Sequence, residues 1–376
     1  MGFESRWDSE SLGAPIAQPS KNRYNLNSTK GLINQLRPKG NAVASFPITL
    51  TRHIIEKQAA HPAATGEFSA LMVQIGLVGK MIAQDLRRAG LINILGGTGK
   101  TNVHGEAVKK LDEIANETFL KVFHYSGLVC ALASEEMEKP VHLPENCPHG
   151  KYMLLFDPLD GSSNTDVNMP LGTVFSVLRY EGKAGLPSEA ELIRRGTEQV
   201  AAGYLMYGSS TMLVFTAGRG VHGFTLDPGV GEYLLSHEHI RIPAKGKVYA
   251  VNEGNYHKWD AGARQFVDYL KQADKPSGRP YSARYSGCLA ADVHRLLLGG
   301  GIYLYPAEKD KPQGKLRLLY EANPLAMVVE QAGGRASTGT EDILKVAATT
   351  LHQRVPLWIG SREDVSKAES FIQGAQ

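Results

Sequence analysis

The stretch FDPLDGSSN (residues 156–164) places two aspartates three residues apart and follows them with a glycine, two serines and an asparagine. Pro158 restricts the backbone between Asp157 and Asp160, and Gly161 begins a run of small residues that lets a ligand approach the backbone closely. Carboxylate oxygens are the ligands that hard divalent cations prefer in proteins. The stretch therefore predicts a site that holds a divalent metal ion beside an anion.

Further acids border short apolar runs that are typical of buried strands. LVCALAS ends just before Glu135 and Glu136, YMLLF ends just before Asp157, and Glu321 precedes a later apolar run. In open α/β sheets, ligands collect outside the carboxyl ends of the strands. Taken singly, each of these acids is more often a solvated charge or a helix cap than a metal ligand. Taken together with the aspartate spacing, they favour a metal site.

The composition is that of an ordinary globular chain. A length of 376 residues suggests about two domains, and 42% hydrophobic with 21% charged residues excludes a disordered or fibrous class. The longest largely apolar run, ALMVQIGLVGKMIA, is too short to span a membrane and is interrupted by Lys80. A formal charge of +3 is too mild to indicate nucleic acid as a partner, whereas small anionic substrates fit it. The three cysteines lack CxxC spacing, which predicts a reducing compartment; they are Cys130, Cys147 and Cys288.

Local patterns predict several elements. Residues 1–45 are rich in Ser, Asn, Gly and Pro, which predicts a flexible extension. Helical spacing of apolar residues begins in ITLTRHIIEKQ and recurs in GEFSALMVQIGLVGKMIAQDLRRAG, which we expect to end at Gly90, and in KKLDEIANETFLKVF. A second region begins near GKVYAVNEG, after HEHIRIPAK, which we interpret as a loop. In ANPLAMVVEQAGG, Asn323 is the expected helix cap and Gly333 the expected stop.

Motifs of other enzyme classes fail on inspection. LGGTGKT resembles a phosphate-binding P-loop, but the glycine required five positions before Gly99 is replaced by Ile94. Neither an HExxH zinc motif nor a GxSxG hydrolase motif is present. His237 and His239 lie in the stretch that we interpret as a polar loop, which more often indicates solvated surface than a zinc site.

The chain resembles the class I fructose-1,6-bisphosphatases, which belong to a superfamily that includes the inositol monophosphatases. The superfamily signature is the Asp-Pro-Leu-Asp-Gly-Ser run with a glutamate upstream, here in ASEE. The bisphosphatase itself is singled out by NVHGEAVKKLD, NEGN, ARYSGCLAADVHRLLLGGGIYLYP, GKLRLLYEANPLAMVVEQAGG and HQRVPLWIGS. The resemblance extends from about Phe46 nearly to the C-terminus.

The resemblance implies a layered α/β/α/β/α sugar-phosphatase fold with two mixed-sheet halves. It implies a regulatory half over residues 46–240, which also carries metal-site acids, and a substrate half over residues 241–376. The implied reaction is hydrolysis of the 1-phosphate of fructose 1,6-bisphosphate, with two or more Mg²⁺ ions per subunit that Mn²⁺ or Zn²⁺ could replace. A homotetramer is also implied. The extra cysteine-bearing loop of the plastid forms is missing from the sequence, which favours a cytoplasmic enzyme.

The site residues that the resemblance implies each match a family motif. The implied metal ligands are Glu135, Glu136, Asp157, the carbonyl of Leu159, Asp160 and Glu321. The implied catalytic residues are Asp112, Glu136 and Asp160. The implied substrate-binding residues are Asp160, Gly161, Ser162, Ser163, Asn252, Arg284, Tyr285, Gly287, Tyr305, Lys315 and Arg317. Among these, Arg284 resembles an arginine that a neighbouring subunit contributes.

The resemblance also implies allosteric inhibition by AMP at a second site. Its implied residues are Thr65, Gly66, Glu67, Ser69, Lys151, Tyr152 and Arg179. Amides at a helix start suit a phosphate group, and the lysine and the arginine add charge for it. We expect the glycine-rich GGTGKTNVHGE, which leads into Asp112, to be the mobile element of this regulation.

Three alternatives remain open at this point. Leu289 and Thr165 differ from the usual family residues, so sedoheptulose 1,7-bisphosphate is a second candidate substrate. Hydrolysis of an inositol-type monophosphate is disfavoured because that class lacks the ARYSG and GKLRLLYE segments. A catalytically silent nucleotide-sensing protein is disfavoured because it would have no reason to keep the full set of acids.

Overall fold

The computed structural model describes residues 47–58, 65–101, 107–142, 150–182 and 186–374. The expected extension over residues 1–45 lies outside these ranges, as do Cys147 and the final NVHGE (residues 102–106) of GGTGKTNVHGE. No helix in the described ranges is long and apolar enough to cross a membrane.

The described helices fall mainly where apolar residues recur at helical spacing. They are α1 (Leu50–Gln58), α2 (Glu67–Arg88), α3 (Lys110–Phe123), α4 (Glu189–Leu192), α5 (Ala261–Lys271), α6 (Leu289–Gly299), α7 (Asn323–Gln331) and α8 (Arg362–Gly374). The first three confirm the sequence prediction, and α2 ends just before Gly90 as expected. 

Many of the described strands follow apolar runs, whereas β1 and the end of β10 are polar. They are β1 (Gly97–Thr101), β2 (Ala107–Lys109), β3 (Val129–Ser134), β4 (Val141–His142), β5 (Tyr152–Asp160), β6 (Leu171–Arg179), β7 (Gln199–Tyr207), β8 (Thr211–Thr216), β9 (Val221–Asp227), β10 (Glu232–Ile240), β11 (Val248–Ala250), β12 (Ser282–Ala283), β13 (Ile302–Tyr305), β14 (Leu316–Arg317), β15 (Arg335–Ser337), β16 (Arg354–Val355) and β17 (Leu357–Gly360).

Two mixed sheets organise these strands. The larger has the order β10-β9-β8-β7-β6-β5-β3-β4, in which only the β3–β5 pair is parallel. The smaller has the order β12-β11-β13-β17-β15, with β11 parallel to both of its neighbours. Two-stranded pairs, β1 with β2 and β14 with β16, complete the described pairing.

Helices separate and cover the two sheets. Helices α1, α2 and α3 share a hydrophobic core with one face of the larger sheet. Its other face shares a core with α6, α7 and strands of the smaller sheet, and α5 and α8 cover the outer face of the smaller sheet. In β5, residues Met153 and Leu155 face one core whereas Leu154 and Phe156 face the other, because successive strand side chains alternate. The layered α/β/α/β/α fold with two mixed sheets is therefore confirmed.

Three local predictions from the sequence were wrong. Strand β5 does not end at Phe156 but runs to Asp160, because pairing with β6 continues past an irregularity to Asp160 and Gly172. The segment HEHI is not a loop, because His237 and Ile240 pair with β9. Asn323 is not a helix cap, because a π-helical turn, Leu318–Ala322, already precedes it.

Candidate active site and family

Three acids from separate elements converge at one edge of the larger sheet. Glu135 follows β3, Asp157 lies on β5, and Glu321 lies in the π-helical turn before α7. One carboxylate oxygen from each lies within 4.8 Å of the others. Strands β3 and β5 are parallel neighbours, so their carboxyl ends bring Glu135 and Asp157 together. Three converging carboxylates fit a hard divalent cation such as Mg²⁺.

The electrostatics of this acid cluster are those of a cation site. Burial raises the pKa of Asp157 well above its ordinary value, and the nearby charges of Glu135, Asp160 and Glu321 raise it further. Arg317 is almost fully buried beside the cluster, with its Nε atom 3.5 Å from a carboxylate oxygen of Glu135. Its backbone N–H donates to Glu321 over 2.6 Å. The cluster therefore carries more negative charge than its protein surroundings compensate.

Asp160 has a different environment from Asp157. Its carboxylate accepts hydrogen bonds from the backbone N–H groups of Leu289 (3.1 Å) and Ala290 (2.6 Å) and from the Cys288 thiol (3.1 Å). Asp160 therefore holds the N-terminus of α6 against the sheet. Among the described residues, neither it nor Glu136 joins the three-acid cluster, and the part of both in metal binding stays a prediction.

Small residues make this approach of α6 possible. Gly161 has a φ of +78°, and a Cβ there would lie 2.6 Å from the Cβ of Cys288. A Cβ at Gly172 would lie 2.5 Å from the Cβ of Ala290. Glycine is therefore required at position 161 both by the positive φ and by the close packing against Cys288.

Asp112 lies at the start of α3, near Glu136 and Ser162. Burial raises its pKa to about 7, an effect that the backbone N–H of Lys109 opposes and the charge of Glu136 reinforces. That N–H donates to the Asp112 carboxylate over 2.9 Å. The Ser162 side chain also interacts with the carboxylate and lowers its pKa. A carboxyl group with a pKa near 7 can exchange a proton at neutral pH.

The loop that carries Tyr285 and Gly287 borders the same site. Gly287 has a φ of +81°. The side-chain amide of Asn164 donates to the carbonyl of Ser286 over 3.0 Å. The backbone N–H of Ser286 donates to both carboxylate oxygens of Asp292. Neither role could be predicted from the sequence, although Asn164 is part of the FDPLDGSSN motif.

The remaining implied substrate residues come from several segments of the chain. Tyr305 and Lys315 line one small cavity. Arg284 is exposed, and its guanidinium donates to the carbonyl of Ala283. The exposed Asn252 follows β11 and accepts the N–H of Gly254 over 3.1 Å. Ser163 is exposed in the turn after Gly161. Their contact with a substrate stays a prediction.

A separate cavity of about 450 Å³ lies between α1, α2 and the larger sheet, and the acid cluster does not line it. All seven residues implied for AMP line this cavity: Thr65, Gly66, Glu67, Ser69, Lys151, Tyr152 and Arg179. Ten further described residues line the cavity and were not predicted from the sequence, among them His53, Phe215, Arg219 and His222. No local motif marks them, because strand pairing and helix packing bring them to the cavity from distant segments.

Comparison with known proteins identifies the family. A family model described as "Fructose-1-6-bisphosphatase, N-terminal domain" matches residues 48–238, and one described as "Fructose-1-6-bisphosphatase, C-terminal domain" matches residues 242–373. The chain belongs to the fructose-1,6-bisphosphatase family. It is accordingly a phosphatase, a hydrolase of phosphoric monoesters.

Similar curated proteins are class 1 fructose-1,6-bisphosphatases. The one from Chloroherpeton thalassium is 55% identical over 328 residues, which are 87% of this chain and 94% of that protein. The one from Trichormus variabilis is 53% identical over 326 residues, 86% of this chain and 92% of that protein. A crystal structure of Leishmania major fructose-1,6-bisphosphatase in holo form has a TM-score of 0.83 at 44% identity, and covers 88% of this chain and all of the other.

Proposed function

We propose that this fructose-1,6-bisphosphatase family member hydrolyses the 1-phosphate of fructose 1,6-bisphosphate with two or more Mg²⁺ ions bound at its acids. The observation that carries this proposal is the convergence of Glu135, Asp157 and Glu321 within 4.8 Å. Bound Mg²⁺ would supply positive charge to the phosphate oxygens of the substrate. Asp160, Glu136 and the Leu159 carbonyl would complete the ligand set.

The chain's own groups would divide the remaining work. Asp112 and Glu136 would take up the proton of the attacking water, which suits the pKa of about 7 of Asp112. The backbone and hydroxyl groups of Gly161, Ser162 and Ser163 would hold the reacting phosphate. Charged and hydroxyl groups would bind the sugar and the second phosphate: Asn252, Arg284, Tyr285, Gly287, Tyr305, Lys315 and Arg317.

Phosphate release from a panel of substrates tests this proposal. The panel comprises fructose 1,6-bisphosphate, sedoheptulose 1,7-bisphosphate, fructose 6-phosphate and inositol 1-phosphate, each with Mg²⁺ and with EDTA. We expect turnover of fructose 1,6-bisphosphate that EDTA abolishes. Faster turnover of sedoheptulose 1,7-bisphosphate than of fructose 1,6-bisphosphate would identify the sedoheptulose ester as the substrate. Turnover that persists in EDTA would refute the metal mechanism.

We further propose that the cavity between α1 and α2 binds AMP and that AMP inhibits the enzyme. The N-terminus of α2, where Gly66 has a φ of +84°, and the cations Lys151 and Arg179 suit a phosphate group. Lys151 is placed there by Glu67, whose carboxylate lies 3.1 Å from its Nζ atom. One structure of the Leishmania major relative is described as being in a T-state, which is compatible with a switch between two states in this chain.

Titration of phosphate release with AMP tests the regulatory proposal. We expect AMP to inhibit the wild type and to inhibit Lys151→Ala much more weakly, because the phosphate loses a partner charge. The matched control is Lys345→Ala, which removes an exposed lysine that does not line the cavity. Insensitivity of the wild type to millimolar AMP, or equal inhibition of Lys151→Ala, would contradict the regulatory site.

A homotetramer is the assembly that we propose. Val73, Leu77 and Met81 recur every four residues on α2 and are exposed, so they form an apolar stripe that an interface would cover. Sedimentation equilibrium measures the assembly directly, and a monomeric mass would contradict it. The cytoplasmic location expected from the sequence stays a prediction.

A further inference from the structure

The cavity between α1 and α2 has two chemically different ends. Tyr152 on β5 and Arg179 on β6 are paired neighbours at one end, beside Lys151. Phe215 on β8 and His222 on β9 are paired neighbours at the other end. Strand β9 is three strands from β6, which at a spacing of about 4.8 Å per strand is roughly 14 Å. A ligand that reaches both ends must be elongated, with an anion at one end.

The wall of the far end is aromatic and buried, whereas the lining residues Lys57, whose charge acts on His222, and Arg219 are exposed. His222 and His53 are each only 5% exposed, and their ring centroids lie 4.5 Å apart. Phe224 packs edge-on against His53 at 5.2 Å and stacks on Phe215. Buried aromatic walls of this kind favour a flat ring as the second end of the ligand. A nucleoside monophosphate has both an anion and a flat ring.

The hydrogen bonding of His222 fixes its tautomer. The backbone N–H of His239 points at Nδ1 of His222 over 3.4 Å, and because an N–H can only donate, Nδ1 must accept. Burial lowers the pKa of His222 to about 4, so the ring is neutral at neutral pH and its proton lies on Nε2. Nε2 lies on the side of Gly220, another lining residue, and makes no hydrogen bond within the part of the chain that the structure describes.

We propose that His222 is a specificity-determining residue of the regulatory site, donating its Nε2–H to an unprotonated ring nitrogen of the nucleotide base. This inference rests on the proposed AMP site and deepens it. The donor recognises a lone pair, which adenine offers at N1, N3 and N7. Replacing the accepting nitrogen by C–H removes the hydrogen bond and leaves the shape of the base unchanged.

Calorimetric binding of AMP and its 1-deaza, 3-deaza and 7-deaza analogues tests the inference. In the wild type, one analogue should bind about tenfold more weakly than AMP, the upper range for one neutral hydrogen bond. In His222→Phe, which keeps an aromatic ring, the affinity for AMP should fall by a similar factor. The analogue that the wild type discriminates against should then bind the variant as tightly as AMP does. His257→Phe, an exposed site outside the cavity, should behave as the wild type.

Each outcome decides a different part of the account. His222→Gln, which retains a side-chain N–H donor, should keep part of the discrimination, and it serves as the test if His222→Phe does not fold. Equal binding of AMP and all three analogues by the wild type, with weaker AMP binding by Lys151→Ala, would overturn the role of His222 alone. Absence of AMP binding to the wild type would overturn both the regulatory site and this inference.

Discussion

Arg317 is a buried cation beside three converging acids, and its position explains how the protein tolerates them. Its Nε atom lies 3.5 Å from Glu135, while Nε and Nη2 have no hydrogen-bond partner among the described groups. A buried guanidinium with donors to spare suits an anion that arrives with the substrate. The same charge limits the repulsion among Glu135, Asp157 and Glu321 before a metal binds.

We predict that Arg317→Met destabilises the metal-free protein by about 3 to 5 kcal/mol, because it leaves buried carboxylates without their cation. Mg²⁺ should restore part of this loss, since it supplies the missing charge. Urea unfolding in EDTA and in Mg²⁺ measures both effects. The control is Arg88→Met at an exposed position of α2. A loss that Mg²⁺ does not change would contradict this role.

At the scale of single residues, the sequence predicts what the chain encodes locally. Asp157, Asp160 and Gly161 stand in one short motif, so their chemistry could be recognised without a structure. The capping of α6 by Asp160 could not be predicted from the sequence, because it depends on the N–H groups of Leu289 and Ala290, which only the fold brings near Asp160.

At the scale of elements, the approach of α6 to the larger sheet sets the position of Asp160. Gly172 on β6 leaves room for Ala290 at the start of that helix. Helix α6 also buries His294, whose Nδ1 is hydrogen-bonded to the Tyr204 hydroxyl at 2.9 Å. Both contacts tie the helix to the sheet that carries the acids.

We predict that Gly172→Ala lowers both stability and activity. Its Cβ would lie 2.5 Å from the Cβ of Ala290, and overpacking of this kind costs about 1 to 3 kcal/mol. Displacement of α6 would also loosen the hydrogen bonds to Asp160. Urea unfolding and phosphate release measure the two effects. Gly299→Ala, where a Cβ would meet nothing within 4 Å, should leave both nearly unchanged, and equal behaviour of the two variants would refute the packing argument.

His294 makes stability depend on pH. Burial lowers its pKa from an ordinary 6.5 to about 4. Above pH 6.5 the ring is neutral in both folded and unfolded chains, so it contributes no pH dependence. Below pH 6.5 the unfolded chain takes up the proton first, and stability falls by roughly 3 kcal/mol on reaching pH 4.

We predict that His294→Asn flattens this dependence. The wild type should lose more of its free energy of unfolding between pH 7 and pH 4.5 than the variant does, as measured by urea unfolding at both pH values. His257→Asn, at an exposed site, should keep the slope of the wild type. Equal slopes for His294→Asn and the wild type would show that His294 is protonated equally in the folded and unfolded chains.

Helices and strands could be predicted where the apolar pattern of the sequence is clear. The prediction failed where pairing with a distant strand determines the structure. The apolar period of α2 predicts its full length. By contrast, HEHI is polar and was interpreted as a loop, because nothing local shows that β9 is available to pair with it. The π-helical turn before Asn323 was missed for a similar reason, since Pro324 in the sequence favours a helix start and hides the earlier turn.

At the scale of the whole molecule, two sheets and three helical layers place the acids at one site and the second cavity at another. The layer order could be predicted only through the resemblance, because distant segments pair in both sheets. The division near residue 240 and the assembly stay predictions. The predicted role of Arg284 links the site to the predicted assembly, because the residue is exposed and resembles an arginine that a neighbouring subunit contributes.

We predict that Arg284→Ala raises KM much more than it lowers kcat, because the arginine is proposed to contact the phosphate that does not react. Mixed with the inactive Asp157→Asn protein, the Arg284→Ala protein should form hybrid oligomers that are more active than the sum of the two separate proteins. In such hybrids, the intact acids of an Arg284→Ala chain meet the intact arginine of an Asp157→Asn chain. Steady-state phosphate release measures both. Hybrids without this gain would refute a shared site.

We propose that the converging acids form the metal site of catalysis, and Asp157 is a buried member whose pKa is raised well above its ordinary value by burial and by the neighbouring acids. The most direct measurement is steady-state phosphate release from fructose 1,6-bisphosphate by Asp157→Asn at saturating Mg²⁺, beside Asp310→Asn at an exposed site. We expect Asp157→Asn to lose at least about a hundredfold in rate, because an amide is a neutral and poorer ligand, whereas Asp310→Asn keeps the rate of the wild type. Turnover by Asp157→Asn at the wild-type rate would contradict the claim.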